Sequence, residues 1–326
     1  MERREFIGNV MAGAALGGSR PGRMEAVPQG ATPDTAGTKA EEVFIERPVA
    51  GKPHAGRVLA AIQPHADDLP FYAAGTIAKL LDEGYIGYMI RTTNDDMTGG
   101  GTISEGALAN ERDNQEVAKV LGLKKVFDLN YSNHRMDQVM PVELRARLIF
   151  LIRLLKVDTV ICYDPWGHYE ENPDHYVTAR AVEASCWMAA MGKDYPEHFA
   201  AGLEPHIVRE KYYFARGPQL VNRVVDIGPF MDKKVEVNRA NKAQGPAGES
   251  GAQLRASLAA RKLRLPILGN DDETAIRQYI KEFVLAQDRE VGRRYGLQYG
   301  EQFHYIGPEP AGVEEDYIKR HAVPLE

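Results

Sequence analysis

Apolar positions along the chain cluster first between Val58 and Ile62, a run with the length and composition of a buried parallel strand. It stops abruptly at Pro64-His65-Ala66-Asp67-Asp68, after which Phe71, Ala74, Ile77, Leu80 and Leu81 recur at helical spacing. The same alternation continues. Ile86 to Thr93 reads as a second strand, followed by the polar loop Asn94 to Gly101. A helix is expected from Glu105 to Leu121, stopped by Gly122. Val126 to Leu129 reads as a third strand, and a helix opening at Pro141 carries Leu144, Leu148, Ile152 and Leu155 on one face. Val157 to Tyr163 follows as a fourth strand, and a helix opens after Asn172. Lys211 to Arg216 and Arg223 to Ile227 look like two further strands near an edge. From Pro229 the pattern is mostly helical. This order predicts an α/β fold: a Rossmann-like, mostly parallel sheet with helices on both faces and a helical C-terminal extension.

The first 42 residues do not belong to that pattern. Arg3-Arg4-Glu5-Phe6-Ile7 resembles a twin-arginine export motif, followed by a weak apolar stretch rich in Gly and Ala and then a linker rich in Pro, Gly, Ala and Thr. The expected division is therefore 1–42 for signal peptide and linker, 43–243 for the main α/β domain and 244–326 for the extension, packed on the same domain. An exported protein, periplasmic or extracellular, is the corresponding expectation. The net charge of −6 gives no support for nucleic-acid binding, and no later apolar segment is long enough for a permanent membrane span. The two cysteines, Cys162 and Cys186, fall inside expected elements and read as buried thiols.

Candidate chemistry lies where strands end, since open α/β sheets bind ligands at the carboxyl ends of their strands. A dinucleotide fold would place glycines after the first strand; this chain places a histidine and two aspartates there. His65 and Asp68, at i and i+3, share one face of a first helical turn. Asp67 and Asp68 also read as simple helix caps. The later stretch Asn172-Pro173-Asp174-His175 opens another helix, with Asn172 as N-cap and Pro173 at the first position. His175 thus arrives at the same sheet edge. Two histidines and one carboxylate suit a catalytic zinc site with an open position. Asp67 stands beside them as a general base. Other divalent transition metals fit the same three ligands.

Together, Pro64-His65-Ala66-Asp67-Asp68, Ala74-Gly75-Thr76-Ile77 and Asn172-Pro173-Asp174-His175 resemble the PIG-L/LmbE family of zinc-dependent N-deacetylases, over about residues 57–243. The resemblance implies hydrolysis of the acetamide of an N-acetylglucosamine-type sugar or glycoconjugate by zinc-activated water. It implies His65, Asp68 and His175 as zinc ligands, Asp67 as base and Asp174 as a supporting carboxylate. Arg112 becomes a substrate contact, and Asn133 lies in a sugar-proximal loop. Ala66 and Leu69 depart from the family pattern, and Asn172 stands where a histidine is usual. Asn172 can donate to an oxyanion but cannot shuttle a proton; His168 or Tyr169 on the same loop could supply that role, and His168, which also reads as a surface residue, is the expected acid. Asp96 faces the same edge, either to hold a sugar hydroxyl or to close a turn. Two other readings fit: an amidase acting on a non-sugar N-acyl group, and a carbohydrate binder impaired by Asn172. Tyr299-Gly300-Glu301-Gln302-Phe303 resembles a short stretch near the end of some family members.

Overall fold

The structure, a computed structural model, describes residues 43–244, 248–308 and 313–324. The expected signal peptide and linker, residues 1–42, lie outside the described residues. Among the described residues, eight strands form one sheet: β1 Phe44–Glu46, β2 Val58–Gln63, β3 Ile86–Thr93, β4 Val126–Tyr131, β5 Thr159–Tyr163, β6 Glu210–Phe214, β7 Arg223–Asp226 and β8 Gly300–Ile306. Their spatial order is β1-β7-β8-β6-β5-β2-β3-β4. Pairs within β6-β5-β2-β3-β4 are parallel, as is β1 with β7, whereas β8 runs antiparallel to both of its neighbours. The sheet is mostly parallel, as the βαβ alternation requires.

Central strands β2 and β5 are buried on both faces: Leu59 to Ile62 and Val160 to Cys162 are fully inaccessible. Each such aliphatic side chain contributes about 1.5–3 kcal/mol when removed from water, so these two strands anchor everything that projects from their ends. Helices α1 Asp68–Tyr72 and α2 Ala74–Asp82 follow β2, separated by Ala73 at φ −143°. α3 Ile103–Leu121 starts with a Thr102/Glu105 capping box and ends on left-handed Gly122. α4 Pro141–Leu155, α5 Pro173–Met188 and the short α6 Pro196–Ala200 complete the crossovers. Gly75 has a positional reason: a Cβ there would lie 2.7 Å from the Ile227 side chain.

The helical C-terminal region is present as α7 Met231–Ala240, α8 Ser250–Ala260, α9 Asp272–Tyr279, α10 Ala286–Arg294 and α11 Val313–His321, with a π-turn at Ile280–Val284. It packs in the same unit as the preceding residues. It also does more than cover the sheet. The Tyr299–Phe303 stretch enters β8, which inserts between β6 and β7, so β6 is an interior strand. Cys162 and Cys186 are free and buried. Among the described residues no helix is long and apolar enough to cross a membrane.

Candidate active site

The parallel strands deliver their following loops to one edge, and two helix starts there carry the reactive side chains. After β2, His65 turns back so that its own N–H donates to Asp68 Oδ2 at 2.8 Å. Asp67 occupies the N-cap position of α1 yet makes no capping bond, so the cap reading leaves its carboxylate unused. At the start of α5, Asn172 Oδ1 accepts from Asp174 N at 3.0 Å, which sets Asp174 and His175 in the first turn. The two starts meet. His65 Nδ1 and His175 Nε2 are 3.0 Å apart, and Asp68 lies 3.4 Å from the first and 3.5 Å from the second. One ligand atom from each of the three buried residues falls within 4.8 Å of the others. Two ring nitrogens turned toward each other beside a carboxylate form the nitrogen-and-oxygen donor set that divalent transition metals prefer.

The supporting contacts fix each ligand. His65 Nε2 is 3.0 Å from Asp174 Oδ2, so the ring donates there and presents Nδ1 to the cluster. Asp174 also accepts from His134 N at 2.6 Å and Met136 N at 3.2 Å. Tyr163, at the end of β5, donates its hydroxyl to Asp68 Oδ1 at 2.6 Å and stacks on the His175 ring at 4.1 Å. Burial alone would push the Asp68 carboxyl up. The neighbouring His175 and His65, with the bonds from His65 and Tyr163, hold it down at about 2. Burial, helped by the charge of Asp68, pushes Asp67 up to about 7. A carboxylate poised near neutrality and not engaged in capping the helix is what a general base requires. Burial opposes a charged His65, but Asp68 and Asp174 outweigh it and raise its pKa well above the usual value.

A cavity of about 240 Å³ opens over the cluster, lined by His65, Asp67, Asp68, Asn172 and His175 together with Phe71, Tyr72, Asn133, His134, Arg216 and Gln244. Asn133 is fully buried there, and neither its side-chain oxygen nor its nitrogen has a partner among the described residues. Asn172 points Nδ2 to within 3.4 Å of His175 Nε2. Asp96 sits just behind the cavity and is engaged by the protein: it accepts from the Ser132 hydroxyl at 2.9 Å and from Asn133 N at 2.9 Å. It therefore braces the loop that presents Asn133.

Two expected residues lie elsewhere. Arg112 is exposed on α3 and does not line the cavity; the inward stripe of that helix is Asn110, Asn114 and Val117. A residue two positions after Asn110 is about 200° round the helix. His168 is also exposed and outside the cavity, its N–H donating to Pro218 O at 2.9 Å. The next residue, Tyr169, has φ +60°, which turns the chain so that Glu170 faces inward instead. Glu170, Tyr163 and Arg216 were not singled out from the sequence. Glu170 stands five residues before His175 on an irregular loop, and Arg216 follows a strand whose place beside β5 no local pattern reveals.

With this geometry in hand, comparison with known proteins is specific. The sequence profile of the family described as PIG-L: GlcNAc-PI de-N-acetylase matches residues 60–186. Diacetylchitobiose deacetylase of Thermococcus kodakarensis is 31% identical over 190 residues, 57% of this chain and 69% of that protein. N,N'-diacetylchitobiose deacetylase from Pyrococcus horikoshii superposes with a TM-score of 0.62 at 24% identity, over 77% of this chain and 84% of that one. A 4-carboxy-2-hydroxymuconate hydratase from Pseudomonas putida shares the fold at TM-score 0.56 and 14% identity, over 78% of this chain and 98% of its own. The chain belongs to the PIG-L family of de-N-acetylases. The hydratase shows that the fold alone does not set the reaction, so the side chains at the strand ends must.

Proposed function

We propose that this protein is a zinc-dependent hydrolase that removes the acetyl group from an N-acetylglucosamine-type sugar. The observation that carries the reading is the buried His65, Asp68 and His175 cluster with Asp67 beside it, unused by the fold. A divalent cation held by those three residues supplies Lewis-acid charge for the acetyl carbonyl and makes water a better nucleophile. Asp67 takes the proton of the attacking water, the role its position and raised pKa suit. Asn172 Nδ2 offers a neutral N–H to the negative charge that grows on the carbonyl oxygen. Asn133 brings a donor and an acceptor to a sugar hydroxyl pair, and Phe71 and Tyr72 provide an aromatic wall. The cavity is smaller than the usual range of roughly 300–1,000 Å³ for drug-sized ligands, which favours recognition of one N-acetylated unit at a time.

The test is acetate release by purified protein from a panel of N-acetylated mono- and disaccharides and non-sugar N-acetyl amines. Chelation should abolish release and added zinc restore it. Asp67→Asn should lower kcat by about 10²–10⁴ while still binding zinc. Release from non-sugar amines alone would replace this reading with the amidase. Zinc binding with no release from any compound would leave a carbohydrate-binding role instead. Export is part of the proposal, supported by Arg3-Arg4-Glu5-Phe6-Ile7; replacing both arginines by lysine should retain the protein in the cytoplasmic fraction, and unaltered export would reject that motif.

A further inference from the structure

Each histidine of the cluster has a carboxylate behind it, and only one of the two carboxylates belongs to the Asn172–His175 stretch. Asp174 backs His65. Behind His175, Glu170 Oε2 lies 3.1 Å from Nδ1, at hydrogen-bond distance though off the ring N–H axis. Stacking on Tyr163 at 16° restrains the tilt of the His175 ring but not a swing of the whole side chain that shifts the ring edgewise. What a carboxylate at Nδ1 adds is a stop against that swing, and with it control of the aim of Nε2.

Glu170 is itself clamped. Its Oε1 accepts from Asn172 N at 3.0 Å and from Arg216 Nη2 at 2.5 Å, and its Oε2 accepts from Arg216 Nε at 3.1 Å. That paired geometry is the strong, directional form of an arginine–carboxylate contact. The segment carrying Arg216 also holds the loop backbone: Pro218 O accepts from His168 N, and at Gly217 a Cβ would come within 2.5 Å of the His168 carbonyl oxygen.

We propose that Glu170 is a positioning residue for His175, aimed by Arg216 and by the close backbone approach at Gly217. The proposal rests on the reading of His175 as a metal ligand. In the Arg216–Glu170 pair the arginine is 39% exposed and the glutamate 11%, so solvent screens it from the arginine side only; the two roles separate by whether zinc affinity falls further than metal-free stability does. Zinc affinity of the full-length protein is measured by competition with a chromogenic chelator, the visible spectrum is recorded with cobalt, and thermal unfolding is followed without metal. Glu170→Ala should weaken zinc binding by about 10–100-fold and alter the cobalt spectrum, with a drop in the melting temperature of the metal-free protein no larger than that of Arg216→Met, which breaks the same pair. Arg216→Met should move affinity the same way by less, and Glu170→Gln should fall between. Glu171→Ala, at the exposed neighbour, should match the wild type. Unchanged affinity and spectrum in Glu170→Ala would overturn the proposal. So would a loss of zinc matched by an equal loss of metal-free stability, which would assign Glu170 to the fold. Wild-type protein that binds zinc but releases no acetate would remove the deacetylase reading and leave this one standing.

Discussion

Asn133 is the residue whose state in the free protein is hardest to explain by folding alone. It is fully buried, with both ends of its amide unpaired among the described residues. The loop around it is braced through Asp96 and Asp174, so its amide is held at the cavity wall, where a substrate hydroxyl can pair with it. Asn133→Ala should therefore raise KM for the sugar substrate by about tenfold, with a smaller change in kcat, and leave the melting temperature equal or higher. Steady-state kinetics and a melting curve check it; an unchanged KM would remove Asn133 from the substrate site. The same scale shows what local spacing can and cannot reveal. The convergence of His65, Asp67, Asp68 and His175 is legible because each lies within one turn of a helix start, where spacing fixes direction. The outward placement of Arg112 follows from the phase of its own helix, which Asn110, Asn114 and Val117 define. The His168 and Glu170 exchange was not legible, because a left-handed residue on a loop reverses direction without a periodic signature.

β2, β3 and β5 announce themselves as apolar runs, but β8 places a glutamate in the core: Glu301 is 2% exposed. Its carboxylate accepts from Gly75 N at 2.9 Å and Thr76 N at 2.7 Å, capping the start of α2, and from Lys234 Nζ at 2.7 Å. A negative charge at a helix N-terminus is favourable, and the buried lysine supplies the counter-charge. This is why a stretch that reads as polar is an interior strand, and why α2 sits firmly behind the His65 turn. Glu301→Ala leaves Lys234 buried with Asp288 alone and uncaps α2, so the expected loss is about 3–5 kcal/mol. Glu301→Gln, which retains one acceptor, should lose less. Chemical denaturation measures both; a loss below about 1 kcal/mol for the alanine variant would mean the cap and pair are dispensable.

Across the whole molecule, buried carboxyls push stability in opposite directions as pH changes. Glu46 on β1 joins Lys79 of α2, Arg223 of β7 and Tyr212 of β6. Burial would raise its pKa, but Lys79 and Arg223 hold it below the usual 4.5. The folded chain therefore keeps this carboxylate after the unfolded chain has been protonated. Its contribution is complete above about pH 4.5 and is lost as pH falls through the lowered folded value. Asp128 and Asp288 behave oppositely. Burial, with Glu111 near the first and Glu301 near the second, raises them to about 6 and about 7 against the opposing Arg91 and Lys234. Between about pH 4 and 7 the folded chain then binds more protons than the unfolded one, and stability falls as pH rises through that window. The metal-free protein should thus melt highest at mildly acidic pH, near about 5, and lower at both pH 4 and pH 8. Glu46→Gln should be less stable at neutral pH and lose less on acidification, whereas Asp288→Asn should flatten the decline from pH 5 to 7. Melting temperatures of the three proteins across pH 4 to 8 decide it. A wild-type melting temperature that climbs steadily from pH 5 to 8 would show that the ionised forms of Asp128 and Asp288 are better accommodated in the core than their surroundings suggest.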